Sequence, residues 1–322
     1  MNNYQVQSPI LFLVFNRPQL TEQVFSRIRA VQPARLYIAA DGPRKDRPED
    51  VAACEQVRQV VSKVDWPCQV QTLFSDHNKG CRMAVSDAIQ WFFDQEEEGI
   101  ILEDDCYPAC SFFSFCDTLL ERFRNDTRVF CITGTNLQQG HRWGTASYYF
   151  SRYVNIWGWA SWRRVWKKYD RDLSRYTAAD AEDALQKTFH DRFLVSDWVN
   201  IFKRLQSGEI DTWDYQFNFL SFFENGLCAT PNINLISNIG FGPDATHTLN
   251  TNSPHAGIAL KEFEGEIIHP RVFLPEPEAD YFFLKKEHDL EARWRIYRKP
   301  KKRFKRWMAK WLPIPFSNSL QG

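Results

Sequence analysis

Positions 99–106 read G-I-I-L-E-D-D-C, where an apolar run leads directly into three consecutive carboxylates, Glu103, Asp104 and Asp105. The apolar residues suit a buried strand, and the carboxylates at its end repel one another and are partly desolvated. A divalent cation would offset this repulsion, because Mg²⁺ and Mn²⁺ take oxygen ligands and leave positions open for phosphate oxygens. The alternative is an acidic turn that caps the next helix. The position of the acids at a strand end favours the metal site.

The residues around this stretch alternate between strand and helix patterns. Short apolar runs and helical spacings of apolar side chains follow one another through the first third of the chain. The predicted strands are Pro9–Phe15, Leu36–Ala40, Cys68–Phe74, Ile100–Leu102 and Val129–Thr133. The predicted helices between them are Pro18–Val31, Val51–Val64 and Lys79–Gln95. Strands separated by helices predict an α/β fold with a mostly parallel, Rossmann-like sheet flanked by helices.

Polar side chains follow four of these predicted strands. They are Asn16 and Arg17 after the first, Asp41 after the second, Asn78 after the third and the three acids after the fourth. Ligands of parallel sheets bind outside the carboxyl ends of the strands. We therefore expect these side chains to converge on one crevice.

Two of the strand-end residues have two interpretations each. Asp41 lies in D-G-P, which suits a turn, and its carboxylate could equally accept a hydrogen bond from a nucleobase N–H. Arg17, in F-N-R-P, could pair with the acids or bind a phosphate.

A candidate general base lies in D-T-W-D-Y-Q-F at 211–217. Large aromatic neighbours would partly desolvate Asp214, as suits a general base, although a structural aspartate bonded to a backbone amide would have the same context. Asp211 is the competing candidate for the base. His247, in D-A-T-H-T, could contact a metal or a phosphate, or be a solvated loop residue.

The second half of the chain is rich in aromatic residues and less regular. Residues 153–166 (Y-V-N-I-W-G-W-A-S-W-R-R-V-W) do not follow either periodicity, and Asp180–Gln206 is predicted to be helical. Residues 238–253 read as a loop that could serve as a lid. We expect a single catalytic domain over 1–285, with a nucleotide-sugar-binding half at 9–135 and an acceptor half at 136–285, followed by a basic, aromatic tail at 286–322.

Composition and charge exclude several classes of protein. An aromatic content of 15% excludes a disordered chain, and the 40 acidic residues balance the 40 basic ones. Residues 291–322 carry ten Lys/Arg and one acid, which leaves 30 bases against 39 acids before them. No 18-residue apolar run is present, and the start lacks the pattern of a secretory signal. Eight cysteines without C-x-x-C pairs then favour reduced thiols in the cytoplasm over a zinc site.

The ordered set of motifs resembles the GT-A nucleotide-sugar transferases, in particular N-acetylglucosaminyltransferase I and its bacterial relatives. The resemblance runs through N-R and D-G after the first two strands, E-D-D, and the Phe-rich P-A-C-S-F-F-S-F-C. It continues in I-T-G-T-N (132–136), W-G-W-A-S-W (157–162), W-D-Y-Q (213–216) and I-S-N-I-G-F-G…T-H-T (236–248). It therefore spans roughly residues 9–250 and implies a GT-A fold with an aromatic-rich acceptor side.

The resemblance also implies roles for individual residues. Asp105 would ligate Mn²⁺ or Mg²⁺, with Asp104 near the ribose or the metal's waters and Glu103 supporting the site or contacting the donor sugar. Arg17 and Asp41 would hold the phosphates and base of the donor, and Asp214 would deprotonate the acceptor. The segment from Gly240 to His247 would close over the donor diphosphate. The family's histidine-bearing stretch is here D-H-N-K-G-C-R, in which His77, Asn78 and Arg82 are the candidates for that role.

These implications lead to a metal-dependent inverting glycosyltransferase that moves a sugar from a nucleotide-sugar, with UDP as the expected nucleotide, to a glycan or lipid-linked acceptor of a cell-surface polysaccharide. One alternative is a nucleotidyltransferase on the same fold, which usually carries a glycine-rich segment after the first strand, whereas F-N-R-P-Q-L has no glycine. The other alternative is a non-catalytic carbohydrate-binding protein.

The tail predicts a second kind of partner. Residues 291–312 mix basic side chains with Trp, Tyr, Phe and Leu, which suits the headgroup layer of an anionic membrane. Nucleic acid is not expected, because no recognition module accompanies the basic residues. A solvated tail without a partner is the remaining interpretation. We therefore expect a cytoplasmic protein that can associate with the inner face of a membrane.

Overall fold

The computed structural model describes residues 4–241 and 257–299. Its strands are β1 (Ile10–Val14), β2 (Arg35–Ala40), β3 (Gln69–Phe74), β4 (Glu98–Glu103), β5 (Cys106–Pro108), β6 (Val129–Thr133), β7 (Tyr148–Ser151), β8 (Trp159–Trp162), β9 (Leu227–Pro231) and β10 (Ile236–Asn238). Its helices are α1 (Pro18–Val31), α2 (Glu49–Val61), α3 (Cys81–Gln95), α4 (Cys110–Phe123), α5 (Arg163–Trp166), α6 (Ala178–Thr188), α7 (Arg192–Gln206), α8 (Asp214–Phe223), α9 (Pro277–Glu287) and α10 (Leu290–Arg298).

The first half forms the parallel part of an eight-stranded sheet. The order is β3-β2-β1-β4-β8-β6-β9-β7, and six of the eight strands run in the same direction. All five residues of β1 are buried, because helices cover both faces of the sheet at that point. The predicted α/β fold with a mostly parallel sheet flanked by helices is confirmed.

The segment that followed neither periodicity contains a strand inserted between two distant ones. β8 runs antiparallel to both β4 and β6, with Ala160 facing Ile100 on one side and Ile132 on the other. All four residues of β8 are buried, so its sequence shows no alternation. This insertion joins the aromatic-rich half to the parallel half in one sheet.

The predicted helix at 180–206 is two helices. α6 begins with a capping box in which Thr177 and Asp180 exchange hydrogen bonds, and it ends before Phe189. Asp191 then caps α7 by accepting hydrogen bonds from the amides of Phe193 and Leu194. A second N-cap inside a continuous helical pattern is what divides it.

α8 joins the two largest apolar clusters of the molecule. Phe217 and Leu220 on α8 belong to the main core beneath the sheet, and Phe219 and Phe222 belong to a second cluster built around Trp198 of α7. Because Asp214 is the first residue of α8, the packing of both clusters fixes the position of its carboxylate.

The last two described helices pack beside α7. Leu290 of α10 is fully buried, and Arg293 forms an ion pair with Asp197. The predicted boundary at residue 285 falls inside α9, and residues 300–322 of the predicted tail lie outside the described residues. Within the part of the chain that the structure describes, no helix has both the length and the apolar content needed to cross a membrane.

Candidate functional site

The carboxylates of β4 meet an arginine from the end of β1. The Arg17 guanidinium pairs with both oxygens of Asp104, and its Nη1 lies 3.0 Å from Asp105 Oδ2. Arg17 directly precedes α1, whose first residue is proline, and β1 and β4 are adjacent in the sheet. The pairing of Arg17 with the acids is therefore one consequence of strand order.

Asp104 and Asp105 are buried and Glu103 is partly buried, and Arg17 balances only one of their charges if all three are ionised. Asp104 is 2% and Asp105 8% exposed, and Glu103 Oε1 is buried without a hydrogen-bond partner. Burial raises the pKa of Glu103 to about 8, and the neighbouring Asp105 and Asp104 add to this rise. The cluster thus contains one carboxylate oxygen without a donor among the described residues, and it carries an excess of two negative charges when all three acids are ionised, which is the state that a bound cation favours.

A glycine lies directly against this cluster. A Cβ placed on Gly240 would be 2.6 Å from Asp105 Cβ and 2.8 Å from Arg17 Nη1, so only glycine fits there. The amide of Ile239 donates to the carbonyl of Asp105 at 2.9 Å, continuing the short antiparallel pair of β5 and β10. His247 and the rest of the predicted lid beyond Phe241 lie outside the described residues.

The ends of β2 and β3 are joined through Asp41. Its carboxylate accepts hydrogen bonds from Asn78 Nδ2 at 2.8 Å, the Gly42 amide at 2.8 Å and the Lys79 amide at 3.0 Å. Burial raises the pKa of Asp41, although these backbone donors oppose the rise. Asp41 thus performs the turn-forming function, and it orders the loop that leads into α3.

The start of α3 lies where the second half of the chain approaches the strand ends. Burial raises the pKa of the Cys81 thiol, and the nearby carboxylates of Glu103, Asp214, Asp211 and Asp41 raise it further. The first residue of α3 therefore lies among acids from β2, β4 and the start of α8. Sequence reasoning did not identify Cys81, because only the three-dimensional packing places it there.

The two candidate bases differ in their surroundings. Asp214 is partly buried, and Thr212 Oγ1 donates to its Oδ1. Asp211 is exposed, and its Oδ2 would be 3.0 Å from a Cβ placed on Gly80, so it lies over the start of α3.

Basic side chains surround the opposite side of the α3 N-terminus. Arg82, on α3, lies 3.5 Å from Asp172. Arg171 pairs with Asp87, which is also on α3. Lys79 also approaches Asp87, at 3.7 Å. Arg171 and Asp172 were not predicted from sequence, since they come from a loop with no recognisable motif.

The donor set suits a cation that is shared with a ligand. Within residues 4–241 and 257–299, no three His, Cys, Asp or Glu side chains are arranged to hold a metal ion by themselves. One or two carboxylates suffice when a phosphate ester provides the other oxygens. The unpartnered Glu103 oxygen and the excess negative charge fit such an ion.

Comparisons with known proteins give only distant likenesses. No family model matches the chain, and no curated protein matches it in sequence. A UDP-glucose pyrophosphorylase complexed with UDP-glucose is 9% identical with a TM-score of 0.35, covering 70% of this chain and 90% of its own. Mouse xyloside xylosyltransferase 1 is 12% identical with a TM-score of 0.35, covering 68% and 82%. HddC from Yersinia pseudotuberculosis is 8% identical with a TM-score of 0.31, covering 51% and 80%. At these TM-scores the likenesses carry no argument about this chain.

Proposed function

We propose that this protein is a metal-dependent inverting glycosyltransferase that uses a nucleotide-sugar, with UDP as the expected nucleotide. The main support is the cluster of three adjacent acids, in which Arg17 pairs with Asp104 and Asp105 while one oxygen of Glu103 has no donor among the described residues. A cation shared with a diphosphate would satisfy both features. The sequence resemblance to GT-A transferases supports the same activity, with a glycan or lipid-linked sugar as the acceptor.

Within the cluster, Asp105 is the side chain best suited to hold Mn²⁺ or Mg²⁺. Both oxygens of Asp104 pair with Arg17, whereas the Cys106 thiol, at 3.4 Å, is the only hydrogen-bond partner of Asp105 Oδ1 among the described residues. The bound cation would supply Lewis-acid stabilisation of the charge on the departing diphosphate. Glu103 would lie beside it, and Arg17 would be available to exchange a carboxylate for a phosphate.

Asp214 is the proposed general base. Its carboxylate lies close enough to Glu103 and Cys81 to influence the pKa of both groups, and Thr212 orients it by donating to Oδ1. It would take the proton of an acceptor hydroxyl as that oxygen attacks the anomeric carbon, and a single displacement inverts the configuration. Asp41, Asn78 and Arg82 would order the donor side at the start of α3.

A nucleotidyltransferase is the second reading of the same fold. The connection between β1 and α1 is Phe15–Arg17, and it contains no glycine that could wrap a triphosphate. We therefore place this reading second, and formation of a nucleotide-sugar from a nucleoside triphosphate and a sugar 1-phosphate would favour it.

The test is a thermal-shift panel of UDP-, GDP- and dTDP-sugars with and without Mn²⁺. A ligand at about a hundred times its Kd stabilises the folded state by about 2.7 kcal/mol, which is a rise of several degrees in Tm. We expect this rise with a UDP-sugar and Mn²⁺ together, its loss in Asp105→Asn, and its retention in Asp94→Asn, where an exposed carboxylate is removed. If a UDP-sugar with Mn²⁺ stabilised Asp105→Asn as much as the unaltered protein, Asp105 would not be a metal ligand.

The stereochemical outcome tests the base. NMR of the product should show the anomeric configuration inverted relative to the donor. Asp214→Asn should lower kcat at least a hundredfold while leaving the Kd of the donor unchanged. Retention of configuration would be incompatible with Asp214 acting as the base in a single displacement.

A further inference from the structure

Two adjoining cavities lie on the side of the molecule formed by α9, α10 and the residues around Leu274. The first has a volume of about 580 Å³ and is lined mainly by α10. The second has a volume of about 710 Å³ and lies between α9 and the end of α6. Tyr281 and Trp294 line both cavities, so the two spaces adjoin across these aromatic side chains. None of the acids of the nucleotide site lines either cavity.

The first cavity is basic. Arg295, Arg298 and Lys299 line it, and all three are exposed and have no ion pair among the described residues. Its single acid, Glu291, lies 3.5 Å from Lys285. Arg293, one residue earlier than Trp294, is instead paired with Asp197 and packs over the Phe193 ring. α10 therefore uses one arginine to attach itself to α7 and presents the other bases to solvent.

The second cavity has an apolar floor. Phe189, Leu194, Pro275 and Leu284 line it, with Leu274 at its rim 67% exposed. Its acids are occupied elsewhere: Asp191 accepts from the Trp294 indole at 2.6 Å, and Asp280 bonds to Ser151. The third acid, Glu278, is exposed and lines the same cavity as Arg152, Lys187 and His190.

The segment that precedes Leu274 exposes further large aliphatic side chains. Ile268 is 62% exposed and Val272 64% exposed, and both belong to the segment that ends at Leu274. Tyr281 and Ile296 add two more exposed apolar side chains, from α9 and α10. A cluster of exposed apolar residues beside unpaired bases is typical of a binding surface rather than of an ordinary solvated face.

We propose that the two cavities together form a binding site for an acidic phospholipid of a membrane surface. The phosphate would pair with Arg295, Arg298 and Lys299, none of which forms an ion pair with another described residue. The hydrocarbon would lie over Leu274 and the apolar floor of the second cavity. Directly after Lys299 the sequence adds six Lys/Arg together with Phe304, Trp307 and Trp311, a composition that also suits an acidic membrane surface.

The experiment measures the binding of the full-length protein to phosphatidylcholine vesicles with and without phosphatidylglycerol. Binding is expected only to the acidic vesicles. Each basic residue near an anionic surface contributes about a fivefold gain in partitioning, so Arg295→Glu combined with Arg298→Glu should lower it more than tenfold. Leu274→Ser changes an exposed side chain, so it should not disturb folding. It should lower partitioning severalfold, because the contact between the leucine side chain and the lipid hydrocarbon is lost.

Matched controls separate this site from general attraction to the basic tail. Lys45→Glu combined with Lys63→Glu makes the same change in net charge at two exposed positions outside both cavities, and it should leave partitioning within about twofold. Unchanged partitioning of the Arg295/Arg298 and Leu274 variants would overturn the proposal. Equally tight binding to a single-stranded oligonucleotide, insensitive to Leu274→Ser, would also overturn it in favour of a nucleic-acid surface. Neither outcome depends on the glycosyltransferase activity.

Discussion

In the acid cluster, the Arg17 guanidinium neutralises part of the charge of the E-D-D motif. Arg17 pairs with Asp104 and Asp105, so the repulsion among three adjacent carboxylates is partly relieved within the chain. Removing one partner from a buried charge pair costs about 3–5 kcal/mol, because it leaves an uncompensated charge. What remains for a ligand to satisfy is Glu103, whose oxygen is buried without a donor. The case for a cation therefore depends on Glu103 and Asp105 more than on Asp104.

Gly240→Ala tests the close approach at this cluster. An added Cβ would meet Asp105 Cβ and Arg17 Nη1 at distances well below van der Waals contact, so the cluster must shift. We expect a loss of roughly 1–3 kcal/mol in the free energy of unfolding. We also expect the Kd for a UDP-sugar with Mn²⁺ to rise at least tenfold, measured by calorimetry on the folded protein.

A control for Gly240→Ala is available at Gly226. A Cβ there would be 2.6 Å from Phe130 Cγ, which is a similar clash in the core rather than at the site. Gly226→Ala should lower the stability without changing the Kd of the folded protein. If both variants weaken binding of the UDP-sugar equally, the contact of Gly240 with the acids has no specific role in that binding.

At the level of single residues, the sequence predicted that the acids follow a buried strand but did not predict their contacts. The apolar run before Glu103 predicts where the acids lie, because a buried strand has to end where the charges begin. Whether Arg17 meets acids or phosphates could not be decided, since both are chemically suitable partners. Cys81 and Asp214 are 133 positions apart in sequence, and only the packing of α8 against the start of α3 brings them together.

At the level of elements, the sequence predicted those with local signals and missed those that depend on distant partners. β1, β2 and β6 follow continuous apolar runs, and α1 begins at a proline that suits a first helical position. β8 has four residues and no alternation, so its place between β4 and β6 is set by tertiary pairing. The break between α6 and α7 depends on the side-chain cap at Asp191.

Asp280 attaches α9 to the edge strand β7 and makes this attachment sensitive to pH. The carboxylate bonds to Ser151 Oγ and accepts from the Arg152 amide at 3.0 Å, yet burial raises the pKa of Asp280 to about 6. A raised carboxyl pKa means that the folded state binds the proton more tightly than the unfolded state. The stability from this group is therefore present below its unfolded pKa and is lost as the pH rises through about 6.

Asp280→Asn should remove this pH dependence. The amide can donate to Ser151 Oγ and accept from the Arg152 amide without a charge, so we expect the variant to be more stable by up to roughly 3 kcal/mol above about pH 7. The gain should shrink as the pH falls towards about 4, as measured by urea unfolding across that range. Asp183→Asn, at an exposed carboxylate paired with Lys187, should show no such trend. A gain independent of pH would contradict the argument.

At the level of the whole molecule, α8 determines whether the two halves unfold together. Its residues contribute both to the core beneath the sheet and to the cluster around Trp198. Trp198 is 1% exposed and packs against Phe219 and Phe222 with ring centroids 5.4 and 4.9 Å away. The predicted single domain over 1–285 then requires that damage to either cluster destabilise the other.

Trp198→Ala and Phe25→Ala form a matched pair for this test, since Phe25 is fully buried between α1 and the sheet. Each substitution should cost about 3 kcal/mol. If the halves unfold as one unit, the slowest-exchanging amides of both β1 and α7 should exchange roughly a hundredfold faster in each variant, as measured by hydrogen exchange and mass spectrometry. Acceleration confined to α7 in Trp198→Ala would show that the second half of the chain opens separately. Asp214 would then be able to move away from the acid cluster while the sheet stays folded.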